Sequence, residues 1–253
     1  GYIRDGNNHL TSVNIKAALE GSLSRFGTDT IDLYQIHWPD RNVNIFGKRG
    51  FTSPEDAETE NAEIPETLEA LDKLRKAGKI RAFGISNETP WGVMRYLSLA
   101  EKNGWEKVVS IQNPYNLLNR GFESGLAEIT YQESVGLLAY SPLAFGMLTG
   151  KYLDGHKPVK ARLTLFSRFQ RYQTKNGLKA TRDYVRLAKE NDLDPAQMAL
   201  AFVRTRPFTS SVLLGATSVK QLESNLASVE LELSEEVLKG IEEIHYRIPN
   251  PCP

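Results

Sequence analysis

Five short apolar runs, each separated from the next by a helix-length segment, constrain this chain more than any other feature. They are IDLYQIHW at 31–38, KIRAFGIS at 79–86, VVSIQNP at 108–114, GLLAYSP at 136–142 and SSVLLGA at 210–216. Between them the period changes. After Thr11, residues Ile15, Leu19, Leu23 and Phe26 recur on one helical face, with Gly27 as a stop. A second helix is predicted from near Pro65, burying Leu68, Leu71 and Leu74 before Gly78. Further helices are predicted over 90–103, 121–133 and 182–206 (one or two), and from Ser218 and Ser234. Strands that do not alternate polar with apolar residues are covered on both faces, and strands alternating with helices pair in parallel. The chain is therefore of α/β class. No Gly-rich phosphate loop follows any run, which argues against a Rossmann sheet. With no linker or low-complexity stretch, residues 1–253 read as a single domain.

The runs share a second property, because each closes on small polar or hydrogen-bonding residues. These are His37; Ser86 and Asn87; Gln112 and Asn113; Tyr140 and Ser141; Gly215 and Thr217. In a (β/α)₈ barrel the C-terminal strand ends converge on one face, and the active site is built there. His37 then belongs to a polar ring around a pocket. A packed histidine satisfied by a neighbouring carbonyl is the plainer alternative. Two long aperiodic stretches support a pocket. Residues 40–63 read as a lid or binding loop. In 144–175, Lys151, Lys157, Lys160, Arg162, Arg168, Arg171 and Lys175 face a single acid, Asp154. Such a local field suits a phosphorylated ligand, which guanidinium and ammonium groups hold by charge-assisted hydrogen bonds. The helix start at Ser218 adds free N–H groups and a positive dipole end.

Overall charge excludes other partners. Thirty-one basic residues balance thirty-one acidic ones, so neither nucleic acid nor an anionic membrane is expected to bind. No apolar run approaches the roughly 20 residues of a membrane span. The one cysteine, Cys252, lies in a Pro-rich tail, and a reducing, cytoplasmic setting fits it. No metal site is expected. Tyr140 offers an aromatic face, and Asn87 and Gln112 offer carboxamides. Together with the basic stretch these types match a nicotinamide, its amide and a pyrophosphate.

At this point the chain resembles the aldo-keto reductases, and closely their Tas-type subgroup. The matching stretches are DLYQIHWPD, GKIRAFGISN, IQNPYNLLNR, AYSPLAFGMLTGKY, LFSRF and LLGATSVKQLESN, in family order over nearly the whole chain. The resemblance implies a (β/α)₈ barrel holding an extended NADP(H), and reversible hydride transfer between nicotinamide and a carbonyl or alcohol. It implies that His37 is catalytic and orients the carbonyl, with Trp38 lining the substrate. Ser86, Asn87 and Gln112 match the groups holding the carboxamide, and Tyr140 the stacking aromatic. Ser141, Leu143, Gly146 and Lys151 match the pyrophosphate clasp, and Arg168 a phosphate contact. Gly215, Thr217, Gln221 and Asn225 match the adenosine end. Gln221 stands where many relatives carry Arg, and Ser224 where many carry Glu, which bears on NADP over NAD preference.

The family tetrad is Asp, Tyr, Lys and His, and only its His is matched. Five strands are counted where family barrels have eight, so about three βα units, roughly ninety residues, are expected to be missing from this chain. The fragment alone is then expected to be inactive, because no tyrosine present replaces the acid. Tyr34 lies three residues before His37, on the opposite face of the pleat. The leading expectation is an NADPH-dependent reductase of a small-molecule aldehyde or ketone, with association into an oligomer left open. The alternative is a cofactor-binding regulatory subunit or non-catalytic relative. A phosphosugar barrel enzyme would need a Schiff-base lysine or paired carboxylates at strand ends, and neither is found.

Overall fold

The computed structural model describes residues 9–44, 47, 50 and 63–253. Along the chain the elements are α1 (Ser12–Phe26), β1 (Ile31–Ile36), α2 (Ile64–Lys76), β2 (Ile80–Ser86), α3 (Pro90–Asn103) and β3 (Ser110–Pro114). They continue with α4 (Leu126–Gln132), β4 (Gly136–Tyr140), α5 (Arg162–Leu165), α6 (Lys175–Glu190), α7 (Pro195–Arg204), β5 (Thr209–Val212), α8 (Val219–Ala227) and α9 (Glu235–Arg247). Every expected strand is present, and the described pairings are parallel. The fold is α/β. Among the described residues no helix is long and apolar enough to cross a membrane.

Caps explain most helix boundaries. Thr11 accepts from the Asn14 amide at 3.4 Å to open α1, and Gly27 closes it at φ 65°. Thr89 and Asp194 cap α3 and α7, each followed by a proline whose missing N–H costs nothing in the first turn. Ser218 and Ser234 cap α8 and α9 where the sequence predicts.

Four expectations need correction. The 182–206 segment is two helices, and the first starts earlier, at Lys175, because Thr174 accepts from the Gly177 amide at 2.9 Å. Asp192 at φ 55° separates them. The 121–133 segment is a 3₁₀ turn over Gly121–Glu123 followed by α4, divided at Gly125 with φ 146°. The basic stretch is not structureless, since it holds 3₁₀ turns at Ala144–Thr149 and Leu153–Gly155 as well as α5. Phe26 is 74% exposed. Periodicity puts a side chain on a face but does not say how far along the helix that face stays covered. The expected 40–63 lid lies mostly outside the described residues.

The chain forms two compact units. The first comprises 1–45, 50–112 and 129–136. In it β1 pairs with β2 through Leu33↔Ala82 and Gln35↔Gly84, and β2 continues to β3 through Ile85↔Ile111 and Ser86↔Gln112. Helix α2 packs between α1 and α3. Leu68 and Leu71 of α2 are fully buried, worth about 1.5–3 kcal/mol each in removed apolar surface. A Cβ on Gly84 would land on the Ser110 hydroxyl and 2.9 Å from the Ser110 carbonyl oxygen. That closeness requires glycine in mid-strand.

The second unit comprises 46–49, 113–128 and 137–253. Here β4 pairs with β5, with a register shift between Leu137 and Leu138. Helix α6 packs on α7 and α9, and α7 on α8 and β5. Tyr115 is fully buried among Phe122, Phe202 and Phe208. Its hydroxyl donates to Glu123, which Arg120 holds at 2.7 Å. This is core, which removes Tyr115 from consideration as a surface acid.

Candidate active site

In the first unit, β1 ends at Ile36 and His37 follows immediately, solvent-exposed, its ring 4.3 Å from the Trp38 ring. A strand-end histidine is useful only if its backbone is held, and several groups hold it. Asn87 Nδ2 donates to the His37 carbonyl at 2.8 Å and lies 3.1 Å from Ser86 Oγ. Three residues on, the Asp40 carboxylate accepts from the Leu10 amide at 2.8 Å and pairs with His9 at 3.0 Å. Arg41 donates to the buried Glu88 carboxylate at 2.9 Å and to Thr89 Oγ1 at 3.0 Å. The segment after β1 is thus pinned on both sides of Trp38. Sequence reasoning missed Asp40, Arg41 and Glu88. The only signal was an acid directly before the Thr-Pro helix start.

The β2 and β3 ends interlock. Ser86 Oγ donates to the Gln112 carbonyl at 2.6 Å, and the Asn87 amide donates to the same oxygen at 3.1 Å. Gln112 Nε2 donates to Gln35 Oε1 at 2.7 Å. His37, Ser86, Asn87 and Gln112 are therefore brought together as expected. Gln35, of the same strand parity as His37, joins them. Asn87 occupies the left-handed region at φ 57°, a conformation that asparagine tolerates better than most residues. Burial pushes the Tyr34 phenol up while Arg25 of α1 pulls it partly back. Tyr34 and His37 both line one small pocket. Partial desolvation lowers the His37 imidazole pKa, which favours the neutral ring. A small pocket of about 70 Å³ lies here, lined by His37, Trp38, His9 and Asn14 among others.

In the second unit β4 ends at the half-buried Tyr140, and Ser141 turns the chain at φ 54°. Ala144, Phe145 and Gly146 follow at φ 48°, 57° and 90°. The Ala144 and Gly146 amides donate to the Ser141 and Leu143 carbonyls, each at 2.8 Å, so these left-handed residues form a closed turn. Against it lies Lys151: a Cβ on Gly146 would meet Lys151 Cε at 3.0 Å and Nζ at 3.1 Å. Burial, and then the nearby Arg162, hold the Lys151 ammonium below its ordinary pKa. Ser141, Gly146 and Lys151 are thus brought together, with Leu143 accepting from the Gly146 amide at 2.8 Å.

Arg162 belongs with this group, although sequence reasoning counted it only as one charge among seven. Its guanidinium lies 5.4 Å over Phe145 and 5.5 Å over Phe169. Arg168 is exposed and lies 4.9 Å over Phe169. Farther along, Gly215, Thr217 and Gln221 are exposed, while Asn225 is buried on α8. Gln221 Oε1 accepts from the Thr217 amide and hydroxyl, each at 3.0 Å. Gln197 Nε2 donates to the Ser224 carbonyl at 2.9 Å. The Gln221 side chain is folded onto its own helix start. Among the described residues no group of three or more His, Cys, Asp or Glu is arranged to hold a metal ion.

A family model described as the aldo/keto reductase family matches residues 1–245. The Tas protein of Escherichia coli is 55% identical over 244 residues, covering 96% of this chain and 70% of that protein. An aldo-keto reductase of Babesia bovis is 38% identical, covering 99% of this chain and 92% of that protein. An oxidoreductase of Bacillus subtilis, YrpG, is 30% identical, covering 95% and 67%.

Proposed function

The chain belongs to the aldo/keto reductase family, a family of oxidoreductases, and from that premise we propose that it serves NADP(H)-dependent reduction of an aldehyde or ketone to the alcohol. The observation that carries this reading is His37: a strand-end imidazole whose backbone carbonyl is held by Asn87. A neutral ring offers an N–H to a carbonyl oxygen without adding a charge, which suits orientation more than proton delivery.

The residues fit the cofactor class. Lys151 and Arg162 are neighbouring exposed cations beside the Ser141–Gly146 turn, and a phosphate would relieve their mutual repulsion. When bound, NADPH would supply the hydride. Lys151, Arg162 and Arg168 would hold its phosphates, with Ser141, Leu143 and Gly146 shaping the turn beside them. Tyr140 would present its ring face to the nicotinamide, and Ser86, Asn87 and Gln112 would border the carboxamide. Gly215, Thr217, Gln221 and Asn225 are proposed for the adenosine end. Gln221 is neutral and engaged with Thr217, so preference for NADP over NAD would rest on the arginines. Trp38, against His37, would line the substrate. Cys252, the single cysteine of the sequence and buried, fits a reducing, cytoplasmic setting.

One observation favours a second reading, cofactor binding without turnover. Burial pushes the phenols of Tyr34, Tyr96, Tyr115, Tyr140, Tyr172 and Tyr184 upward, away from what a phenolic acid needs. Fluorescence titration with NADPH and NADH, followed by turnover of 4-nitrobenzaldehyde, separates the readings. Binding with turnover supports the reductase, and binding without turnover selects the second reading. Failure to bind either nucleotide refutes both.

A further inference from the structure

A glutamine in mid-strand must find partners for its amide wherever the sheet covers it. Gln35 is half-buried, two residues before His37 and on the same face of β1. Its Oε1 accepts from Gln112 Nε2 at 2.7 Å. That contact crosses a whole strand. Gln35 stands opposite Gly84 of β2, and Ser86 of β2 stands opposite Gln112 of β3. With neighbouring strands about 4.8 Å apart, the two side chains together bridge roughly 10 Å of sheet. Gly84 leaves them the room, since a Cβ there would come 3.2 Å from Gln35 Nε2.

The backbone of Gln112 is already fixed. Its carbonyl accepts from Ser86 Oγ at 2.6 Å and from the Asn87 amide at 3.1 Å. Its side-chain torsions remain, and Gln35 holds those through Nε2. With Nε2 engaged, Oε1 is the atom of Gln112 left over for a ligand, and an amide oxygen only accepts. At the far end, Gln35 Nε2 is buried without a hydrogen-bond partner among the described residues. Ser110 Oγ, which borders the same space beside Gly84, is buried and unpartnered too. Nothing there draws the Gln35 amide away from Gln112. An unsatisfied buried donor is a cost to folding, which marks Gln35 as serving the group its oxygen holds rather than the core.

We infer that Gln35 is a positioning residue: it turns the Gln112 carboxamide so that Oε1 accepts an N–H from the nicotinamide carboxamide. This deepens the reading in which Gln112 borders that carboxamide, and it rests on that reading. The consequence is a specificity. A ring bearing an amide has an N–H to give at that point, and one bearing a methyl ketone has none.

The test compares NADP⁺ with its 3-acetylpyridine analogue, in which a methyl replaces the amide nitrogen, by calorimetric titration of the full chain. The parent should bind NADP⁺ more tightly by roughly three- to tenfold, the size of one hydrogen bond. Gln35→Met keeps the side-chain length and removes the acceptor. It should bring that ratio close to one, as Gln112→Met should, and the double variant should fall no further. A merely structural role would weaken both nucleotides alike and leave the ratio standing, which overturns the inference. Gln35→Glu keeps an acceptor oxygen, and any added charge acts on both nucleotides alike, so the ratio should survive. A fall to the level of the Met variant overturns it. So does a parent that does not discriminate, because Gln112 would then be presenting its NH₂. A second readout needs no nucleotide. The side-chain ¹⁵N–¹H signals of Gln112, assigned by their disappearance in Gln112→Met, should shift in Gln35→Met, and unmoved signals overturn the contact itself. Gln112→Met distinguishes the two levels. If it leaves the ratio unchanged, the reading of Gln112 at the carboxamide fails and takes this inference with it. If it lowers the ratio while Gln35→Met does not, only the role of Gln35 fails.

Discussion

Replacing Asn87 with alanine tests the claim that the strand ends hold His37. Two separable contributions are lost. Asn87 Nδ2 lies 2.8 Å from the His37 carbonyl oxygen and 3.1 Å from Ser86 Oγ, in a buried place. Removing such a donor costs about 1–3 kcal/mol. The backbone stands at φ 57°, where a Cβ without a compensating polar side chain costs about 1–2 kcal/mol. Alanine should therefore destabilise by roughly 2–5 kcal/mol, a large share of a marginal total. Asn87→Gly separates the contributions, because glycine adopts the left-handed region freely and is expected to recover about 1 kcal/mol despite its greater unfolded-state entropy. The measurement is urea unfolding, comparing midpoints at unchanged slope. Equal stability of the Ala and Gly variants would refute the backbone argument. A Gly variant as stable as the parent would refute the hydrogen-bond argument, and with it the view that Asn87 immobilises His37.

Gly84→Ala should destabilise by about 1–3 kcal/mol through overpacking against Ser110; an unchanged urea midpoint would contradict the close approach of β2 and β3. Arg168→Ala should weaken NADPH by roughly 1.5–3 kcal/mol and NADH less; equal weakening would move Arg168 from the 2′-phosphate to the pyrophosphate, and none would remove it from the site. The His37 ring should titrate by NMR with a midpoint below its ordinary 6.5. A depressed folded-state pKa means that its contribution to stability is present above 6.5 and is lost as pH falls through the folded value. His37→Ala should flatten that acid limb. In an enzyme that also carries the tetrad's tyrosine, it should lower kcat on the order of 10²–10⁴ with little change in nucleotide affinity; a loss confined to affinity would refute the orienting role.

Local chemistry already determined a good deal. The five apolar runs, their non-alternating composition and the cap residues Thr11, Thr89, Asp194, Ser218 and Ser234 specify parallel strands and helix starts, because these are effects of near neighbours. The polar residues ending each run, and the motifs DLYQIHWPD and AYSPLAFGMLTGKY, pointed to the family and to most candidate site positions. What sequence could not decide depends on which distant groups meet. The exposure of Phe26 depends on how far cover extends along α1, and the division at Asp192 on a backbone reversal that the 182–206 pattern does not mark. Arg41 and Glu88 are 47 residues apart, and nothing in either neighbourhood signals their pairing. Charge counting treated Arg162, Arg168 and Arg171 alike. Only the tertiary structure separates them: Arg162 over Phe145 and Phe169, Arg168 over Phe169, and Arg171 on the Pro253 main-chain oxygen and the Tyr172 ring. The physical reason is that a guanidinium's work is set by the acceptor or ring face its fork reaches, and chain folding places those partners far along the sequence.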